Sequence, residues 1–263
     1  MRNSRARLYR RRLTHQLDLL RVLVARSLTV QYKRSIIGVA WSLLNPLMLL
    51  VVFHFLFRVV LSVNIPRYSS FAFSGLLVFT WFQTSLFQSA GAITDNRELI
   101  RQPGFPSAIL PAVTVTTNLI HFLLALPILI IFLVTGEAQL KPTVLLLPLV
   151  MALQFVFTLS LSYLVATANV RFRDTQHLLS VLLTLLFYIT PVFYDAKAVP
   201  ARYQFIYHFN PMAQIVEAYR AVLVNGTLPD WSSLLVLGVI AIGLLKVGHQ
   251  IFIWASHRFV EEL

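Results

Sequence analysis

From Ser35 to Phe57 the chain carries no Asp, Glu, Lys or Arg, and the basic pair Lys33-Arg34 stands immediately before this run. As a helix, at about 1.5 Å per residue, the run reaches roughly 35 Å, which exceeds the ~30 Å hydrocarbon layer of a bilayer. It therefore sets the solvent, and the expected class is all-α, a polytopic membrane protein. Basic residues beside a span resist translocation, so the Lys33-Arg34 end is expected in the cytoplasm. Asn45-Pro46 lies inside the run. Proline lacks an N–H and clashes one turn back, so a kink or break is expected there.

Composition extends this reading to the whole chain. Only 12% of residues are charged and 57% are hydrophobic, against the ~25% charged of soluble domains. Six apolar runs predict spans at 36–61, 71–92, 108–134, 144–168, 176–194 and 232–255 of one membrane domain, 35–263. Threaded so, fifteen Arg and Lys lie inside against five outside, which puts both termini in the cytoplasm. The net charge of +12 sits on membrane-flanking segments, where anionic lipid rather than nucleic acid is the partner. With no Cys, a disulfide framework, thiol catalysis and thiolate metal sites are excluded. The first apolar run is too long for a signal peptide, and none is expected.

The segment 1–34 opens on Arg2, Arg5, Arg7, Arg10, Arg11 and Arg12, a positive-inside signal with headgroup contact or a polyanion site. Over 14–34, Leu17, Leu20, Val24, Leu28 and Gln31 share one face, the pattern of an amphipathic helix on the inner leaflet. In the second run Gln83, Thr84, Ser85, Gln88 and Ser89 mark a helix–helix contact or a pore-lining face. The loop Asp95 to Ser107 is cytoplasmic by parity. Asp95 with Glu98 three residues on reads as a capping box, and Pro103-Gly104 as the stop of a helix over 95–103. Its form is that of a docking element, against the plainer reading of a tight polar loop. His54, His121 and His177 are isolated, as expected of hydrogen-bonded helix residues rather than ligands.

The outer segment 195–231 is too aromatic for a solvated loop. Asn210 is its expected N-cap, Pro211 the first helical residue and Asn225-Gly226 the stop, with Glu217 and Arg220 set on the polar face. A pair of short re-entrant helices and a plain outer cap both fit.

Enzyme motifs are missing: there is no HExxH, no GxSxG and no phosphate-binding loop. No acid falls at mid-membrane depth, which argues against an ion-coupled carrier. A chain that crosses a membrane, lacks an energy source and presents a cytoplasmic docking helix points to a pore-forming subunit driven by a separate ATPase.

At this point the sequence resembles the permease subunits of ABC-2 type exporters of cell-surface polysaccharide, nearest in look to the O-antigen type. The carrying stretches are Tyr32-Lys-Arg-Ser-Ile-Ile-Gly38 with Trp41 and Pro46, Arg101-Gln-Pro-Gly-Phe-Pro106, Phe172-Arg-Asp174 with Pro191 and Tyr194, and Asn210-Pro211 with Tyr219-Arg220. The resemblance implies a homodimer of six-span subunits in the bacterial inner membrane, two ABC ATPase subunits that bind the ATP and magnesium, no cofactor in this chain, and an undecaprenyl-linked polysaccharide as substrate. It implies a coupling helix at Asp95, Asn96, Arg97, Glu98, Leu99 and Arg101, and a gate helix ending at Arg34. Arg26, Lys33 and Arg34 would draw in the lipid diphosphate. The first and fifth spans would line the channel, carrying Phe53, Phe57, Phe187, Tyr188, Phe193 and Tyr194, whose faces suit sugar rings; packing or lipid-facing aromatics are the alternative. An ABC-2 permease for a drug or lipid, and a membrane insertion or structural factor, are the competing functions.

Overall fold

The computed structural model describes residues 2–33, 40–60, 65–135, 141–196 and 199–262, with side chains other than those of 2–13, 42, 43, 58, 260 and 261. Among the described residues the regular structure is all helical, with no strand. The helices are α1 (Arg2–Tyr32), α2 (Trp41–His54), α3 (Tyr68–Gly91), α4 (Arg97–Ile100), α5 (Ile109–Thr135) and α6 (Leu147–Arg171). They continue as α7 (Thr175–Ile189), α8 (Phe205–Phe209), α9 (Pro211–Arg220), α10 (Trp231–Ser256) and α11 (Phe259–Glu262).

Among the described residues four segments are long and apolar enough to cross a membrane: α3, α5, α6 with its leading 3-10 turn, and α10. They are packed unequally. In α3, 72% of the most apolar window is buried, against 22% in α10, so α3 is the central post and α10 a flank. The difference follows from side-chain size. Ser70, Ser74, Gly75, Ser85 and Ser89 let neighbours approach α3 from several sides. By contrast, Leu235, Val236, Val239 and Ile240 leave one side of α10 apolar and uncovered. α10 meets α6 closely where Gly248 faces the Ser160 carbonyl; a Cβ there would stand 2.8 Å from that oxygen.

α2 and α7 are shorter. At about 1.5 Å per residue α7 spans roughly 22 Å, less than a hydrocarbon layer. It was expected to reach Tyr194 and ends at Ile189, because Thr190 turns extended (ψ 132°) ahead of Pro191. In α2 the break, one of the two outcomes expected at Pro46, does not occur. The helix runs through the buried Pro46 and continues as a π-helical turn, Phe55–Val60.

The bundle has two distinct ends. At one end Ala92, Ile93, Ile100, Leu110, Tyr163, Ala166, Val170, Phe252 and Phe259 form a single apolar cluster. The second half of α1 packs beside it, through Leu19, Leu20, Leu23, Val24 and Leu28 on Ile109, Val113 and Ile120. α1 and α11 therefore sit at the end that carries residues 94–105. The buried stripe of α1 keeps the expected Leu20, Val24 and Leu28 and adds Leu19 and Leu23, while Leu17 and Gln31 at its ends are exposed. The helix also starts well before residue 14 and takes in the arginine-rich segment.

At the opposite end α9 folds back over α3, and α8 packs on α9. Asn210 caps α9 as expected, accepting from the Met212 and Ala213 N–H groups at 3.0 and 3.3 Å, and Gly226 ends the following π turn at φ 62°. Met212, Ile215, Val216 and Tyr219 are buried against the main core, so protein covers α9, the condition a re-entrant helix requires.

Candidate functional site

Three groups of predicted residues can be followed in space. The first is the turn after α3. The chain leaves α3 at Ala92–Ile93, makes a 3-10 turn at Thr94–Asn96 and then the single helical turn α4. Ile93 and Ile100 are buried in the apolar cluster below, and Leu99 bridges that cluster to the one holding α1. Above this footing Asp95, Arg97, Glu98 and Arg101 face solvent. The Arg97 Nε donates to the Thr94 carbonyl at 3.2 Å, and the Asn96 amide donates to the Ala92 carbonyl at 2.9 Å. The turn is thus fastened from beneath and charged on top.

The capping box is not formed. Asn96, rather than Asp95, precedes α4, and no side chain caps it. Asp95 lies inside the 3-10 turn with its carboxylate over Gly91, where a Cβ would meet Oδ2 at 2.5 Å. The helix is shorter than the expected 95–103, since α4 ends at Ile100 and residues 101–104 form turns; Gly104 follows at φ 80°, a conformation glycine adopts without a Cβ clash.

The second group is the gate. Arg26 and Lys33 are exposed. Arg34, and the stretch 34–39 that follows it, lie outside the described residues. The end of α1 is held by a contact the sequence did not suggest: the Tyr32 hydroxyl bonds His121 Nε2 at 2.8 Å, with the rings edge to face at 5.7 Å. His54 likewise has a partner, the Ser69 hydroxyl at 3.2 Å.

The third group is aromatic, and five of its six members meet ring to ring. Phe53 of α2 stacks on Phe193 at 3.6 Å between centroids. Phe57 also stacks on Phe193 at 6.3 Å. Phe187 meets Phe53, Phe193 and Tyr188 edge to face. Tyr194 closes the group, its hydroxyl 2.9 Å from the Ile189 carbonyl and 3.3 Å from the Tyr207 hydroxyl. Exposure grades across it: Phe193 is buried, Phe53, Phe57, Phe187 and Tyr194 are half-buried, and Tyr188 is 66% exposed. The uncovered α7 side continues from Tyr188 through Leu185, Leu182, Val181 and Leu178.

One central residue was placed wrongly by helical periodicity. Arg220 is not on a polar face; it is buried, with 1% of its surface exposed. Its Nη1 donates to the Pro191 carbonyl and its Nη2 to the Val192 carbonyl, both at 2.6 Å. Longer bonds reach the Phe71 carbonyl, and the guanidinium lies 3.5 Å from the Phe71 ring centroid. It ties α9 to the start of α3 and to the break after α7. Among the described residues no group of three His, Asp or Glu is placed to hold a metal ion.

A family model described as ABC-2 type transporter matches residues 18–224. The O-antigen export system permease protein RfbA of Myxococcus xanthus is 39% identical over 92% of this chain and 94% of its own length. The Klebsiella pneumoniae protein of the same name is 34% identical over 94% and 95%. More distant is the polysialic acid transport protein KpsM of Escherichia coli, 23% identical over 88% and 90%.

Proposed function

Because the chain belongs to the ABC-2 type transporter family, we propose that it is the channel-forming permease of an ATP-driven exporter of cell-surface polysaccharide of the O-antigen type. In this reading two copies pair in the bacterial inner membrane, six crossings each with cytoplasmic termini, over two ABC ATPase subunits that bind the ATP and magnesium. The substrate class rests on the relatives that carry O-antigen and polysialic acid in their names; none of these names a drug or a lipid.

The observation that carries the coupling role is the charged turn on its apolar footing. An ATPase that closes on ATP pushes on Asp95, Arg97, Glu98 and Arg101. Ile93 and Ile100 pass the push to α6 and α10, and Leu99 and Phe105 pass it to α1, since both residues also pack in the α1 cluster. Close-packed contacts of this kind transmit displacement rather than absorb it. The gate helix therefore moves with the turn. The substrate's diphosphate is drawn to Arg26, Lys33 and Arg34 by charge-assisted contacts. The aromatic group on α2 and its π-helical turn, on α7 and in the break after α7 offers apolar ring faces along which sugar rings pass.

Deleting the gene in the native host is expected to leave the lipid-linked glycan inside the cell and to strip it from the surface, with the plasmid-borne gene restoring it. Lys33→Ala with Arg34→Ala should lower export at an unchanged membrane level. Normal surface glycan in the deletion strain contradicts the reading.

A further inference from the structure

Where α1, α2, α3 and α5 converge there is a cavity of about 150 Å³ that the transport reading leaves unused. Its polar lining is Gln31, Asn45, Thr80, Thr84, Asn118 and His121. None of these is an acid or a Lys or Arg. Two indole rings, Trp41 and Trp81, stand in its wall; the Trp81 N–H is already given to the Val115 carbonyl, which leaves the ring itself as wall.

Depth makes this lining unusual. Thr84 lies seven residues before the end of α3, and Asn118 and His121 nine and twelve residues into α5. At about 1.5 Å per residue the cavity sits roughly 10 to 18 Å into the bundle from the end that carries residues 94–105. Lipid tails offer no hydrogen bonds at that depth, and each polar group left unpaired there costs several kcal/mol. Some of these groups are engaged. The Asn118 amide donates to Gln88 Oε1 at 2.8 Å, and His121 takes the Tyr32 hydroxyl. Among the described residues the exposed amides of Gln31 and Asn45, at the open side of the cavity, and the half-buried hydroxyl of Thr80 have no hydrogen-bond partner. They are open donors and acceptors, at a site closed on one side by the end of α1.

We propose that this cavity binds one uncharged sugar residue, the one next to the lipid anchor, as the substrate comes in from the inner leaflet. The proposal rests on the polysaccharide reading above and adds a specificity site to it. Amides and hydroxyls without charges match the mixed donor and acceptor pattern of sugar hydroxyls. Indole faces suit the C–H side of a pyranose. The volume takes a single ring, not an oligosaccharide. His121 lines the cavity and also holds the Tyr32 hydroxyl, so an occupant that bonds His121 competes with Tyr32 and loosens the end of the gate helix.

Two of the four tryptophans line the cavity, which supplies the probe. The full chain with Trp231→Phe and Trp254→Phe, in lipid nanodiscs, is titrated with a polyprenyl diphosphate bearing one N-acetylhexosamine and with the same polyprenyl diphosphate without sugar. The sugar-bearing lipid is expected to change the fluorescence at a concentration at least tenfold lower than the bare one. Asn45→Leu, and the isosteric Thr84→Val, should each erase that difference, while Lys33→Ala weakens both lipids alike. Equal responses to the two lipids, or a difference that survives both cavity variants, overturns the proposal. If the two lipids respond equally while the gene still supports surface glycan, only the sugar site falls. If surface glycan is also independent of the gene, the transport reading falls with it.

Discussion

Replacing Arg220 with Met tests how the outer end of the bundle is held. Methionine keeps most of the aliphatic volume and removes the guanidinium. The Phe71 carbonyl has the Ser74 hydroxyl as a second partner at 2.9 Å, so the loss falls on the Pro191 and Val192 carbonyls. Each of these gives up a 2.6 Å charge-assisted bond. A buried acceptor left unsatisfied costs about 1–3 kcal/mol, so the pair gives about 2–6 kcal/mol. For a chain of this size that is a fall in Tm on the order of 10 °C, read by thermal unfolding in nanodiscs. Arg220→Lys should fall between, because one ammonium cannot span both carbonyls with the guanidinium's planar fork. Gly75 supplies an internal check. A Cβ there would meet Arg220 Nη2 at 2.8 Å and the Val192 oxygen at 3.1 Å, so Gly75→Ala destabilises by displacing the same group. The double variant should then lose less than the sum of the singles, since both act on one contact set. A Tm for Arg220→Met within about 2 °C of the parent, or strict additivity with Gly75→Ala, refutes this reasoning.

Asn210→Ala removes both the α9 cap and the 3.0 Å bond from its amide to the Thr190 hydroxyl; a loss of about 1–2 kcal/mol is expected by denaturant or thermal unfolding. Exchanging Arg97→Glu with Glu98→Arg keeps the net charge on an exposed turn, so the fold and membrane level should hold while stimulation of the partner ATPase is lost in reconstituted vesicles. Asp230 caps α10, and the hydroxyls of Ser232 and Ser233 hold its carboxyl below its ordinary value. A folded value below the unfolded one means that its contribution is complete above about pH 4 and vanishes as pH falls through the lowered value. The Tm difference between the parent and Asp230→Ala should therefore shrink to nothing in acid.

Local signals in the sequence carried far where the chain answers to local physics. Long apolar runs gave α3, α5, α6 and α10, and Asn210-Pro211 with Gly226 gave both ends of the α9 segment, because caps and φ > 0 positions act within a few residues. Of the six aromatic residues chosen from two separate spans, Phe53, Phe57, Phe187, Tyr188 and Phe193 meet in one group, while the Tyr194 ring pairs with Tyr207. Tertiary partners were less visible. Arg220 was assigned to the polar side because helical period places a charge outward by default; what buries it is a set of carbonyls supplied by Phe71, Pro191 and Val192, distant in sequence. The Tyr32–His121 bond joins residues 89 apart, and neither residue type announces the other. Asp95 failed as a cap because α3 unwinds through a 3-10 turn, which shifts the start of α4 past it. Pro46 did not break α2: a proline deprives a helix of only one donor, and the packing of Leu50 and Phe53 on the core holds the remaining turns.

The central claim is that the charged turn at 94–101 faces the cytoplasm and takes its push from a separate ATPase. The chain contains no Cys, so Glu98→Cys introduces a single reactive site on an exposed position. Labelling with a membrane-impermeant maleimide is predicted to fail in intact spheroplasts, to succeed in inverted vesicles stripped of the ATPase, and to be blocked when the ATPase is restored. Labelling from the outside of intact spheroplasts, or equal labelling of inverted vesicles with and without the ATPase, contradicts it.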